Sequence, residues 1–337
     1  MKPWLWMPAS LAHTLAPLAL ELHALVSDRT SYEWQKFEWR GLKFDNRLGI
    51  AGGVDKDASH VEQWWTYGPG FIEVGTITPR AQGPNPGKIM ARDNSSQALW
   101  NRMGFPGSGA WVARENLNDL KYSRHTPVFV NIGKNRSTPN EEAARDYAEC
   151  IGILGELADA FVVNISSPNT TGLRELLEPQ NLTRFLEGVL SARNTSVAPK
   201  TPVLLKVSPD IEDREFRRVI EIAKGAGIDG FIATNTTLAR ESGSPFPAEG
   251  GVSGAPLAQR SKDVLKLMVD VLGPNRSDTL LVSCGGVMSP EDVFERLELG
   301  ADLVEVYTAL IFQGPWFFRD VAQAAKNRMQ KQKPMRS

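Results

Sequence analysis

From about residue 47 onward, short apolar runs alternate with longer polar segments that carry apolar residues at three- and four-residue steps. The runs cover residues 48–51, 71–74, 128–130, 161–163, 203–205, 230–233, 280–282 and 303–306. Each is only a few residues long and dominated by Val, Ile, Leu and Phe, which predicts strands buried on both faces. Amphipathic helices fill most intervals. One is predicted over 213–224, where Phe216, Val219, Ile220 and Ile222 sit among charges. Another opens at Pro290: Ser289 is a good N-cap, proline suits the first helical position, and acids follow in the first turn. Eight repeats of strand then helix predict a parallel sheet closed into a (β/α)8 TIM barrel. An open doubly wound sheet is the alternative, and the even spacing favours closure.

Two stretches break the rhythm. Residues 80–100 are rich in Gly, Pro and Asn, and residues 239–254 read as a second long loop. Insertions after barrel strands are where lids and substrate contacts belong. Ahead of the barrel, Leu11, Leu15, Leu18, Leu22 and Leu25 form the stripe of an amphipathic helix. The stretch is too short to span a bilayer and is interrupted by His13, Pro17 and Glu21. It also continues past any plausible secretory cleavage point. Core packing is the ordinary use of such a stripe. Trp4 and Trp6 beside it suit a water–membrane boundary instead. The chain thus divides into an N-terminal helical extension, 1–40, and a barrel domain, 41–337.

Composition narrows the function classes. A formal net charge of −1 offers no electrostatic case for nucleic acid. Cys150 and Cys284, the only two cysteines, cannot build a disulfide framework and suit a reducing compartment. The four histidines, His13, His23, His60 and His125, lack metal-ligand spacing. No metal site is expected.

Barrel chemistry gathers where strands end. Those ends read Gly52-Gly-Val-Asp-Lys56, Gly75-Thr76, Asn131-Ile-Gly133, Asn164 with the Ser167 loop, Lys206, Thr234-Asn235-Thr236, Gly285-Gly286 and Tyr307-Thr308. Nearly all are glycines or hydrogen-bonding side chains. Taken singly, Gly285-Gly286 could be a tight turn and Lys206 could reach solvent. Together they suit a ligand. Glycines near the last strands let amides approach a phosphate, with 251–254 as further donors. Neutral amides and threonines would rim a flat heterocycle beside the Lys206 charge, the needs of a flavin mononucleotide (FMN). Lys56, Asn101, Asn164, Asn169 and Asn235 exceed what one ring can use and suit a small anionic ring with imide edges. In Asn164-Ile-Ser-Ser-Pro-Asn-Thr170, Pro168 biases Ser167 away from helical angles, which positions its hydroxyl. Ordinary turn chemistry accounts for the same residues.

In these motifs the chain resembles the quinone-dependent, membrane-associated class of the dihydroorotate dehydrogenase family. The likeness runs from about His13 to near Pro315. It rests on Gly52-Gly-Val-Asp-Lys56, Glu73-Val-Gly-Thr-Ile-Thr-Pro79, Asn101-Arg-Met-Gly-Phe105, Asn131-Ile-Gly-Lys-Asn135, Asn164-Ile-Ser-Ser-Pro-Asn169, Ala233-Thr-Asn-Thr-Thr237 and Gly285-Gly286. The resemblance implies oxidation of dihydroorotate to orotate, in pyrimidine biosynthesis, through FMN to ubiquinone or menaquinone. It implies that FMN is held by Gly52, Gly53, Val54, Asp55, Lys56, Thr76, Asn131, Asn164, Lys206, Thr234, Gly254, Gly286, Tyr307 and Thr308. Lys56, Asn101, Arg102, Met103, Gly104, Phe105, Asn164, Asn169, Asn235 and Thr236 would hold the substrate. Ser167 would be the catalytic base, with Thr170 and a water shielded by Phe105 as its proton relay. Lys206 would stabilise the negative charge of the reduced flavin. His13 and Arg92 would border the quinone, which enters through the N-terminal helix. A monomer bound peripherally at the cytoplasmic face of a bacterial inner membrane is the implied setting.

Cytosolic relatives carry cysteine where Ser167 stands, and neither Cys150, expected in a helix, nor Cys284, expected inside a strand, can replace it. Three places depart from the family pattern, one of them the segment 86–91, which matches poorly although Arg92 is in place. Pro106-Gly107 follows Phe105 where Asn and a small or polar residue are usual, and Thr171 occupies a usual proline position. Two other readings stay open: the same oxidation with a soluble acceptor such as fumarate or NAD, and a barrel that binds flavin without turnover.

Overall fold

The computed structural model describes residues 2–120, 124–170 and 172–332. All eight apolar runs are strands: β1 (Leu48–Ile50), β2 (Phe71–Ile77), β3 (Val128–Ile132), β4 (Ala160–Asn164), β5 (Val203–Val207), β6 (Gly230–Ala233), β7 (Leu280–Cys284) and β8 (Leu303–Val306). They pair in parallel and in sequence order, and β8 closes on β1 through Val304↔Leu48. The doubly wound alternative is therefore excluded. Strand residues are almost uniformly buried because helices cover the outer face and side chains fill the interior.

The outer helices form as their apolar stripes require. Helix Asp213–Ala226 buries Phe216, Val219 and Ile220, while its charges face water. Helix Pro290–Glu298 begins with a capping box: Ser289 Oγ accepts from the Asp292 amide at 3.2 Å, and Asp292 Oδ2 accepts from the Ser289 amide at 2.8 Å.

The N-terminal mouth of the barrel is closed by a hairpin, Phe37–Trp39 with Leu42–Phe44, whose Phe44 packs edge-on against Phe71 and Phe129. The division drawn at residue 40 falls in this hairpin's turn. Three arginine–aspartate clasps tie strands in pairs at the same end. Asp159, Asp229 and Asp302 each precede one strand and accept from an amide in the first two residues of its neighbour, at Val128, Val203 and Leu281. Arg124, Arg193 and Arg276 pair with them at 3.1, 3.1 and 2.6 Å.

The two segments expected as long loops meet each other instead. Met90–Asp93, Ala98–Asn101 and Gly251–Gly254 form one three-stranded antiparallel sheet over the site mouth. Antiparallel pairing satisfies backbone groups that isolated loops would leave to solvent. On the other edge of Gly251–Gly254, an isolated bridge to Thr237 takes the Val252 amide, which donates to the Thr237 carbonyl at 2.8 Å rather than standing open as an anion donor.

Helix Ala9–Ala24 packs along strand Met90–Asp93 and helix Val61–Trp65. Its leucine stripe does not enter the core. Leu11, Leu15, Leu18 and Leu22 are exposed, Leu18 and Leu22 to 53% and 55%, and only Leu20 is buried. Core packing is the wrong account of that stripe, because the barrel has already covered its own apolar surface. Among the described residues no helix is long and apolar enough to cross a membrane. Trp4 docks on the barrel through Nε1 to the Ile311 carbonyl at 2.7 Å, while Trp6 stands 78% exposed.

Candidate active site

Ser167 lies just beyond β4 and is 5% exposed. Its Oγ accepts from the Asn169 amide at 3.2 Å, the short-range bond that a Ser-Pro-Asn turn encourages. Thr170 is buried beside it with an unpaired hydroxyl. Thr171 lies outside the described residues. Asn169 donates through Nδ2 to Asn101 Oδ1 at 2.8 Å, and its own Oδ1 is buried without a partner. Asn85, from the lid segment, fixes this loop by donating to the Asn169 carbonyl at 3.0 Å.

A second amide chain crosses the mouth. Asn164 donates to Thr76 Oγ1 at 2.9 Å and accepts from Asn235 Nδ2 at 3.2 Å, which also reaches Ser166 Oγ at 3.1 Å. The side-chain oxygen of Asn235, Oδ1, in turn receives the Thr236 amide at 2.7 Å. Tyr147 donates to the Asn164 carbonyl at 2.9 Å from below. The side chains from β2, β4 and β6 are thereby held in fixed orientations.

The segment after Asn101, which leads into the departure at Pro106-Gly107, forms a fixed turn. Gly104 and Phe105 both have positive φ, +74° and +55°. Gln82 Nε2 donates to their carbonyls at 3.1 and 2.9 Å, which pins the turn. The Phe105 ring lies over Gly133, where an added Cβ would come within 3.0 Å of it. Arg102 and Met103 serve the lid: the Arg102 guanidinium reaches Glu249 and the Pro86 carbonyl, and the Met103 carbonyl accepts from Asn85.

After β1, Gly53 donates to the Gly75 carbonyl at 2.6 Å, and Val54 packs on the core. The Asp55 carboxylate turns away from the cavity and accepts from the Ser59 and His60 amides at 2.9 and 2.8 Å. Lys56 is half-buried. Burial lowers its pKa, and the neighbouring Asp55 and Asp57 charges only partly offset that. At the opposite rim, Thr308 shares a hydrogen bond with Ser253 at 2.9 Å. Thr234 donates through its amide to the Cys284 carbonyl at 2.7 Å. Gly286 lies so close to Ala258 that a Cβ would approach its Cα to 2.2 Å, and a Cβ at Gly254 would strike the Gln97 carbonyl. The Tyr307 ring faces Gly53.

Lys206 does not reach solvent. Its Nζ lies 3.0 Å from both carboxylate oxygens of Glu73 and 3.6 Å from Glu305, all three fully enclosed in the barrel. Glu73 and Glu305 were not recognisable as site residues from their runs, although a glutamate inside an apolar strand is itself the signal. Burial disfavours charge on Lys206, but the two carboxylates outweigh it and hold the ammonium well above its ordinary pKa. Asn131 Nδ2 donates to Glu73, leaving Asn131 Oδ1 buried and unpaired. An orphaned acceptor beside a fixed cation fits a flat heterocycle that presents a ring N–H. Burial, first of all, pushes the Cys284 thiol up to about 12 and Cys150 well above its usual value, so neither is a nucleophile.

Arg92 and His13 lie apart from this cluster. The Arg92 guanidinium donates to the carbonyls of Trp4, Leu5 and Met7 at 3.3, 2.9 and 2.7 Å. It thereby borders a cavity of about 740 Å³ lined by residues 5–10 and 87–92 with Asn94. His13 keeps an exposed edge; crowding of its inner edge and then the Lys56 charge lower its pKa. No group of His, Cys, Asp and Glu that could hold a metal exists among the described residues.

A family model for dihydroorotate dehydrogenase matches residues 35–329. The dihydroorotate dehydrogenase (quinone) of Deinococcus radiodurans is 44% identical over 82% of this chain and 76% of its own length. The Thermus thermophilus enzyme of the same name is 45% identical over 83% and 79%. That of Chromobacterium violaceum is 37% identical over 94% and 93%. The ligand-free DHODH structure from Eimeria tenella superposes with a TM-score of 0.85, at 32% identity over 95% of both chains. With the eight-stranded barrel, the Ser167 loop and these relatives together, the chain belongs to the dihydroorotate dehydrogenase family.

Proposed function

We propose that the chain oxidises dihydroorotate to orotate and passes the electrons to a membrane quinone, ubiquinone or menaquinone, in pyrimidine biosynthesis. The observation that carries this reading is the buried Ser167 hydroxyl, held by the Asn169 amide, at the mouth where the pairs Asn101–Asn169 and Asn164–Asn235 are hydrogen-bonded beneath the lid. A bound FMN would supply the acceptor for the C6 hydride and the donor to the quinone. Gly52, Gly53, Thr76, Asn131, Asn164, Lys206, Thr234, Gly254, Gly286, Tyr307 and Thr308 would hold it. The unpaired Asn131 oxygen and the Lys206 charge support this assignment.

Lys56 would bind the substrate carboxylate, and the asparagine amides would read its imide edges. Ser167 Oγ would take the C5 proton. An isolated serine is a poor base, so the Asn169 amide would steady the oxygen while the unpaired Thr170 hydroxyl carries the proton onward behind Phe105. Lys206 would hold positive charge where electron density arrives, an electrostatic contribution of the kind that dominates many active sites.

The exposed leucines and Trp6 support peripheral binding of residues 1–40 to a bilayer, with the quinone entering by the cavity that Arg92 borders. The cytoplasmic face of a bacterial inner membrane is the proposed site. Ser167→Ala should slow flavin reduction by dihydroorotate roughly 10²–10⁴-fold in stopped flow and retain the flavin, the usual range for a lost general base. A near-wild-type rate would overturn the assignment. Offering quinone and then fumarate to the reduced protein distinguishes the membrane acceptor from a soluble one.

A further inference from the structure

Inside the barrel, below the site mouth, two carboxylates share one lysine. Glu73 on β2 and Glu305 on β8 are both fully buried, and Lys206 on β5 is their only cation among the described residues. Gly52 makes the arrangement possible, since a Cβ there would stand 2.3 Å from Glu73 Oε1. Glu73 takes both short contacts to Lys206 and a further hydrogen bond from Asn131. Glu305 takes neither: Lys206 Nζ stands off at 3.6 Å, and the Cys284 thiol beside it is only a weak donor. An ionised carboxylate sealed from water with no strong donor is costly to hold charged. Two ionised carboxylates side by side also offer each other only acceptors. A proton on Glu305 removes both difficulties, because the acid becomes a donor and Glu73 is the acceptor against it.

We propose that Glu73, Glu305 and Lys206 form a neutral, one-proton cluster in which Glu305 carries the proton, and that the cluster sets the charge presented to the cofactor by Lys206. Glu305 is thus a positioning residue that never touches substrate. The groups facing it are Glu73 from β2, Lys206 from β5 and the un-ionised Cys284 thiol from β7. Burial, then the Glu73 charge, push the Glu305 carboxyl well above its usual range; burial pushes Glu73 the same way, but the Lys206 charge and the hydrogen bonds from Glu305, Asn131 and Lys206 together hold it below. Only the link to the cofactor rests on the flavin reading; the proton itself does not.

The test is infrared spectroscopy of the purified protein, with and without flavin, combined with redox titration. Wild type should show the carbonyl stretch of a buried carboxylic acid at neutral pH. Glu305→Gln should abolish that band. So should Glu73→Gln, because Glu305 then ionises to pair with Lys206. Each single variant keeps the cluster neutral, so the flavin midpoint potential should stay near that of wild type. The double variant leaves Lys206 uncompensated and should shift the potential upward. Absence of the band from wild type, its survival in Glu305→Gln, or additive shifts from the two single variants would overturn the proposal. If the double variant does not fold, the infrared comparison of the singles decides alone. Failure of flavin to bind at all would count against the flavin reading, while the band in flavin-free protein still decides the proton.

Discussion

The Asn169 amide points its hydrogen at the Ser167 hydroxyl oxygen across 3.2 Å. The bond occupies one lone pair of a buried oxygen and offers a fixed dipole to the negative charge that oxygen acquires when it gives up its proton. The same amide would steady a thiolate. Ser167→Cys should therefore regain part of the flavin-reduction rate lost in Ser167→Ala. Its rate should climb about tenfold per pH unit below a thiol pKa near 8.5. Stopped-flow profiles of the two variants check this, and a flat Ser167→Cys profile would count against a base at this position.

Lys56 supplies a second pH dependence. Burial lowers its pKa, so it loses its proton earlier than an ordinary lysine as the pH rises. Only the protonated form attracts an anionic ring. Orotate affinity should hold at neutral pH and fall as the pH climbs through the lowered pKa. Lys56→Arg, which stays charged, should flatten the decline; titrating orotate against flavin absorbance across pH measures it.

Arg92 ties the N-terminal segment to the lid through three backbone carbonyls. Hydrogen bonds from a charged donor are worth about 1.5–3 kcal/mol in net terms, and partial exposure places this set at the low end. Arg92→Ala should raise the KM for quinone roughly tenfold and leave the dihydroorotate half-reaction unchanged. Equal loss in both half-reactions would mean that the segment supports the barrel and not the acceptor site.

Leu18 and Leu22 face water, so glutamate there costs the fold little. On a bilayer each leucine would bury its side chain, worth about 1.5–3 kcal/mol. Leu18→Glu and Leu22→Glu should each weaken vesicle binding by about tenfold or more, at unchanged Tm. Flotation with anionic vesicles reads the first quantity and calorimetry the second.

Asp229 receives Arg193 at 3.1 Å, Arg40 and the Val203 amide at once, far from the mouth. Asp229→Ala strands a nearly buried guanidinium and an amide. It should cost about 3 kcal/mol in urea unfolding while flavin binding survives in the folded fraction.

The eight strands were legible because burial on both faces leaves a local mark, a short run of Val, Ile, Leu and Phe, that needs no partner to be recognised. Ser289 and Pro290 announced their helix by the same local logic. Ser167, Asn164 and Lys206 could be singled out because strand ends in a closed barrel share one mouth. The leucines from Leu11 to Leu22 could not be resolved the same way: periodicity shows that a face is apolar, but only the finished packing shows that the barrel leaves it uncovered. The lid was hidden as well, since Asn101 and Gly251 are separated by four barrel strands, β3 to β6, and meet only in the finished fold. Glu73 and Glu305 passed as members of apolar runs. Their meeting with Lys206 depends on the inward register of three separate strands, which barrel closure alone decides.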